Sequence, residues 1–124
     1  MAKFRFEDLE IWMEATNIAH LFFQIANELE QKKLWRFADQ VRGVGLSIPN
    51  NISESTGTNF LREQQQLLRY SKRECFEAAN MTVILLMENL IKEDLKNNLF
   101  ERLDVECRKI QAYSDSLEKS ALKH

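Results

Sequence analysis

The chain predicts an all-α fold: an antiparallel up-down four-helix bundle whose second helix is kinked at a proline. Three observations carry that prediction. Apolar residues recur at intervals of three and four through four long stretches. The connectors between those stretches are short, which sets successive helices side by side and antiparallel. Only three glycines and one proline occur in 124 residues, too few for a turn-rich β fold, and 44% hydrophobic residues argue against disorder. This length suits one domain, residues 1–124, which can bury about two-thirds of its unfolded surface without a metal or disulfide.

The first helix is expected from about Asp8 to Gln31, on the spacing of Leu9, Trp12, Ala15, Ala19, Phe22, Ala26 and Leu29. Glu7 and Asp8, following Phe6, give it an acidic start that suits the positive end of the helix dipole. The second is expected from about Arg36 to Ser55, with Phe37, Val41, Val44, Ile48 and Ile52 in its stripe. Gly43, Gly45 and Pro49 weaken it, and Pro49 removes a backbone donor and crowds the preceding turn. The stripe passes through unbroken, so one helix kinked near Ser47 to Pro49 is expected, two short helices being the alternative. Ser55 to Asn59 reads as a loop. Gly57 is suited to end the helix in a left-handed conformation, and Thr58 or Asn59 to cap the next.

The third helix is expected from about Phe60 to Asn89, with Leu61, Leu68, Cys75 and Thr82 as one seven-residue series and Leu67, Ala78 and Leu85 beside it. From Ala78 to Leu90 it is apolar nearly all round and should be buried on most sides. A turn near Leu90 to Glu93, without Gly or Pro, leads to the fourth helix, about Lys92 to Leu122, striped by Leu99, Leu103, Ile110, Tyr113 and Leu117. The tail Lys123–His124 should fray. No internal repeat or low-complexity segment occurs.

Charge is unevenly placed around a formal net of -2. Residues 7–31 hold six carboxylates, Glu7, Asp8, Glu10, Glu14, Glu28 and Glu30, and no Lys or Arg. Residues 32–56 hold four cations, Lys32, Lys33, Arg36 and Arg42, against Asp39 and Glu54. Either these unlike helices pair within the bundle, or the acidic face meets a basic face of another copy. Exposed pairs contribute only ~0–1 kcal/mol each, so they set orientation more than affinity.

The residues offer little to an enzyme. His20 is the only histidine in an expected helix, and its helical neighbours Thr16, Asn17, Gln24 and Asn27 include no carboxylate. A solvated or hydrogen-bonded histidine is the plain reading. A bundle di-iron site needs Glu-x-x-His pairs, but Asn17 and Ala121 precede His20 and His124 at that spacing. There is no phosphate-binding glycine loop and no nucleophile elbow. No catalytic, cofactor-binding or metal-binding residue is therefore expected, and no small-molecule substrate. Cys75 and Cys107 lie sixteen residues to either side of Ile91, so a turn there sets them at one height as paired core thiols. A redox pair would need a lowered thiol pKa, and the sequence gives no reason to expect one. The most apolar stretch, Met81 to Met87, is far short of the ~20 residues that span a bilayer. The opening M-A-K-F-R-F-E-D has no apolar leader core, so a cytoplasmic protein without a membrane partner is expected.

Two groups of residues stand out. Arg62, Arg69 and Arg73 share a face of the third helix, with Lys72 adjacent. They form either an ordinary solvated face, given Glu63, Glu74 and Glu77 on the same helix, or a ridge for nucleic-acid phosphates. Gln40, Ser47 and Asn51, with Glu54 one turn on, put a polar stripe on the proline-bearing helix. Such a stripe implies close packing with side-chain hydrogen bonds that fix register or a subunit contact. A turn near Gly57 brings Arg42 level with Arg73 and Glu74, so Arg42 is expected to pair with Glu74 or Glu77. Phe4, Phe23, Trp35 and Phe100 find no place in one four-helix core, and some should line a subunit contact.

This second stretch resembles the four-helix-bundle proteins encoded in intervening sequences of bacterial large-subunit rRNA genes, often labelled a ribosomal protein family. The family pattern is a Gln, then basic and small residues, then Ser-Ile-Pro-x-Asn-Ile-Ala-Glu-Gly. Here it is met by Gln40, Arg42, Ser47, Ile48, Pro49, Asn51, Ile52 and Glu54. Phe6-Glu7-Asp8-Leu9 with Trp12 looks like the family's opening, and Glu77 falls where its third helix carries a Glu. Ser53 and Ser55 replace an Ala and a Gly, Gly43 stands where a second basic residue is common, and Arg73-Glu74 stands where Gly-Ser is usual. The resemblance implies a non-enzymatic bundle assembled as a ring-shaped homopentamer. It also points to relatives that serve retroelement reverse transcriptases as basic barrels binding the polymerase and nucleic acid. The expectation is thus a homo-oligomeric accessory of RNA, a ribonucleoprotein or a nucleic-acid enzyme. The alternative is a protein-interaction scaffold that does not touch nucleic acid.

Overall fold

The structure, a computed structural model, describes residues 3–123. After a 3₁₀ turn at Arg5–Asp8, four helices follow: α1 Glu10–Gln31, α2 Trp35–Ser55, α3 Leu61–Met87 and α4 Glu93–Leu122. Consecutive helices pack along their lengths, and α1 meets α4 more sparsely to close the bundle. The 3₁₀ turn is fastened by Glu7 Oε1, which accepts the Phe4 N–H at 3.0 Å, and by the Phe6 ring 5.0 Å from that of Trp12. Met1 and Ala2, at the head of the stretch read for a leader, lie outside the described residues, as does His124. Lys123, the other half of the tail expected to fray, still hydrogen-bonds Ser120 O at 3.3 Å.

α1 buries two rows because it touches two helices. The row expected from the sequence is buried at Ala15, Ala19, Phe22, Ala26 and Leu29, and a second row, Ile11, Ile18 and Ile25, is buried beside it. The small residues let α2 approach. A Cβ at Gly45 would stand 2.9 Å from Phe22 Cβ and 3.4 Å from Ala19 Cα, so only glycine fits there. Gly43 has no such neighbour within 4 Å. α2 runs as one helix with Pro49 buried inside it, and the two-helix alternative is set aside.

The helix ends differ from expectation. Gly57 is not left-handed. Its N–H reaches Glu54 O and the Thr56 N–H reaches Ser53 O, so α2 leaves by a tightened last turn. The left-handed residues are Lys33 (φ 64°) and Asn89 (φ 58°). Each follows a helix end of one design: the Leu34 and Leu90 N–H groups bond back to Leu29 O and Leu85 O at 2.9 Å, with an apolar residue at both ends of the bond. Neither Thr58 nor Asn59 occupies the cap position of α3, which is Phe60. Thr58 still braces the start, accepting the Phe60 N–H at 3.2 Å and donating to Glu63 at 2.7 Å.

The C-terminal half of α3 is less buried than its composition implies. Ala78, Thr82 and Leu85 face the core, while Ile84 and Met87 are exposed, Met87 by 71%. Phe4 and Trp35 are exposed as well, whereas Phe23 and Phe100 are half-buried.

Candidate functional site

The proline-bearing helix is stitched to α3 at one level. Ser71, buried on α3, donates its hydroxyl to Ile48 O at 2.9 Å. One turn away Ser47 Oγ lies 2.7 Å from Val44 O and 2.9 Å from Glu74 Oε2, two acceptors for its single proton. Asn51 turns inward on its own helix, donating to Ser47 O at 2.9 Å. These bonds surround Pro49, where the backbone has lost a donor. Glu77 stands beside Glu74 on the same helix, and the neighbouring carboxyl raises the Glu77 carboxyl above its ordinary range. With Gln40, Gly43, Val44 and Met81, the two carboxyls line an open groove between α2 and α3. Of the expected polar stripe, Ser47 therefore reaches α3, Asn51 bonds its own helix, and Gln40 and Glu54 are exposed.

Arg42 does not pair with Glu74 or Glu77. It forms a two-pronged bond with Glu30 on α1, Nη2 to Oε1 at 2.7 Å and Nη1 to Oε2 at 3.0 Å, and reaches Asn27 Oδ1 at 2.9 Å. The reason is angular. Ser47 faces α3, but Arg42 lies on the α1 side of α2, where the C-terminal end of α1 also favours a cation. The height differs too: Ser47 opposite Glu74 and Ile48 opposite Ser71 centre the α2–α3 turn near residue 60, not Gly57. The bond to Arg42 holds the Glu30 carboxyl below its usual range.

The acidic first helix finds further partners inside the bundle. Lys109 of α4 bonds Glu10 at 2.6 Å, which lowers the Glu10 carboxyl and raises the Lys109 ammonium. Arg102 lies 3.8 Å from Glu14. With Glu30 taken by Arg42, three of the six carboxylates are matched by cations of α2 and α4.

Arg62, Arg69 and Arg73 stand in one exposed row along α3, continued by Phe76. Among the described residues none of the three arginines forms an ion pair or a side-chain hydrogen bond. Lys72 is not part of this ridge. It is half-buried and donates to Gln111 of α4 at 2.7 Å.

One residue of note escaped the sequence reading. Glu106 on α4 is fully buried, and neither carboxylate oxygen has a hydrogen-bond partner. Burial, reinforced by Glu14, pushes its pKa up to about 8, with Lys109 pulling the other way. The signal was available: Glu106 fills the gap between Leu103 and Ile110 in the apolar series of α4. Among the described residues no group of three or more His, Cys, Asp or Glu is placed to hold a metal ion, and His20 is exposed. No helix among them is long and apolar enough to cross a membrane.

A search of curated proteins finds no match for this chain. The model of one protein family, described as 23S rRNA-intervening sequence protein, matches residues 7–112. That span holds the Phe6–Trp12 opening from Glu7 onward, the whole proline-bearing helix with its stitches to α3, and the arginine row. By that match the chain belongs to the 23S rRNA-intervening sequence protein family.

Proposed function

We propose that this chain is a non-enzymatic, homo-oligomeric accessory that associates with structured RNA or a ribonucleoprotein. The observation that carries the reading is the row Arg62, Arg69 and Arg73, three guanidiniums without an ion pair or side-chain hydrogen bond among the described residues, while the carboxylates of the first helix are partly neutralised by α2 and α4. Free guanidiniums spaced along a helix suit phosphate oxygens, and the exposed Phe76 in the same row offers a surface on which an unpaired base can stack. The other end of the α3 face, Ile84 and Met87, together with exposed Trp35, supplies apolar area for a second copy. A ring of five is the assembly that the family resemblance implies.

Fluorescence anisotropy with a structured RNA tests the first part. Binding should weaken as salt rises, and replacing the three arginines with Gln should flatten that salt dependence by about one unit per lost phosphate contact. Absence of binding at low ionic strength, or an unchanged slope in the triple variant, would overturn it. Light scattering tests the second part, since a monomer mass at micromolar concentration contradicts an oligomer.

A protein-interaction scaffold is the second reading. It is favoured by the groove carrying Glu74 and Glu77, which Arg42 leaves without a cation. A stoichiometric protein partner that survives nuclease treatment would support it over the first.

A further inference from the structure

We propose that Cys75 and Cys107 form an oxidisable dithiol: Cys107 is attacked by a small hydroperoxide, and Cys75 then closes a disulfide that ties α3 to α4. The two cysteines line one small pocket between these helices, walled by Phe76, Ala79, Phe100 and Leu103 with Asp104 at its edge. They are not equivalent. Cys75 is 1% exposed, whereas Cys107 is only half-buried and Phe76 beside the pocket is 70% exposed, so a small reagent reaches Cys107 first. Surrounding bonds confirm that the two residues are level. Lys72 meets Gln111, and Cys107 Sγ donates to Lys72 O at 3.8 Å.

The chemistry follows from this asymmetry. The neighbouring Cys75 thiol and the Lys72 ammonium hold the Cys107 thiol below its ordinary range; burial and Asp104 oppose them. The same pairing, with burial, pushes Cys75 up, and Glu106 and Glu74 add to that. Cys107 is therefore the thiol that ionises more readily, and its thiolate is the attacking form. Its sulfur attacks one oxygen of hydrogen peroxide; an S–O bond forms, the O–O bond breaks, and hydroxide leaves to take up a proton. Cys107 is now a neutral sulfenic acid, so the negative charge that held the proton on Cys75 is gone. Cys75 sulfur attacks Cys107 sulfur, the S–S bond forms, and the hydroxyl leaves with the Cys75 proton as water. Two thiols and one peroxide give one disulfide and two waters.

The test uses the full, reduced chain exposed to hydrogen peroxide, then quenched with an alkylating reagent and read by mass spectrometry. Loss of two hydrogens with no alkylation, and one peptide pair joining Cys75 to Cys107 within a chain, is expected. The bridged form should melt at higher temperature than the reduced form, because the closed loop constrains the unfolded chain. In Cys75→Ala, oxidation should halt at a Cys107 sulfenic acid captured by a cyclic diketone. In Cys107→Ser, Cys75 should react at least ~10-fold more slowly than Cys107 does in the wild type. The order of alkylation in the unoxidised wild type needs no variant: Cys107 should be labelled before Cys75. Labelling of Cys75 first, bridges only between chains, or over-oxidation of Cys107 without a bridge would each overturn the proposal.

Discussion

The seams on the two sides of α1 solve the same packing problem in opposite ways. Against α2, α1 offers Ala19 and Phe22 to a glycine, and the backbones approach until no methyl group fits between them. Against α4 the contact is sparser; Lys109–Glu10 and Arg102–Glu14 bridge the two helices, and α4 buries Glu106 without a hydrogen-bond partner. The first seam is optimised by shape. The second carries an electrostatic penalty at neutral pH, because an isolated buried carboxyl must either keep its proton or lie charged among apolar groups.

That contrast is sharpened most by titration. Glu106 has a folded pKa of about 8 against an ordinary 4.5. Below pH 4.5 both states are protonated and nothing is lost. Between 4.5 and 8 the unfolded chain releases the proton and the folded one keeps it, so stability should fall by about 1.4 kcal/mol per pH unit and level off above pH 8. Summed over that window, the loss is about 4–5 kcal/mol. Glu106→Leu should abolish it and show its largest stabilisation, relative to the wild type, at pH 8–9. Parallel urea stabilities for the two proteins from pH 5 to 9 would mean that the seam already accommodates the charge.

The opposite seam is broken by a single methyl group. Gly45→Ala must displace Phe22 or part the helices, a loss of about 1–3 kcal/mol even after the gain in helix propensity. Gly43→Ala, two residues away with nothing within 4 Å, should instead stabilise by roughly 0.5–1 kcal/mol. Thermal melts of the two variants should move in opposite directions, and a common direction would remove the claim that shape governs this seam. On the far side of α2, Ser71→Ala removes the hydroxyl that reaches Ile48 O. A loss of about 0.5–1.5 kcal/mol is expected there.

These sites also separate what could be read in the chain from what could not. Helix spans were legible to within two residues, because apolar spacing within a helix is local information. The level of Cys75 and Cys107 was legible as well, since a tight turn maps sequence distance onto height. The partner of Arg42 was not, because height alone does not fix which neighbour a side chain faces, and one residue turns it by about 100°. Gly57 misled for a related reason: left-handed ends fell to Lys33 and Asn89, where the bonds to Leu29 O and Leu85 O demand that geometry whatever residue is present. The arginine row was legible as a face, and its lack of partners was not, because that depends on every other helix. Glu106 lies outside a stripe read from apolar residues alone, although its place between Leu103 and Ile110 puts it on the inward face.

The smallest effect belongs to the ion pairs across the α1–α4 seam. Lys109 and Glu10 are both substantially exposed, so water and salt screen them. Lys109→Met should lower the melting temperature slightly at low ionic strength and not at all in high salt, where the Debye length falls to about 3 Å at 1 M. The substitution has a second consequence through Glu106. Lys109 favours the charged form of that buried carboxyl, so its removal should raise the pH at which Glu106 ionises. The decline of stability with pH should then continue to higher pH in Lys109→Met than in the wild type. A large loss in this variant that added salt diminishes would mean that charges hold the seam together, and the contrast with the glycine-packed seam would disappear.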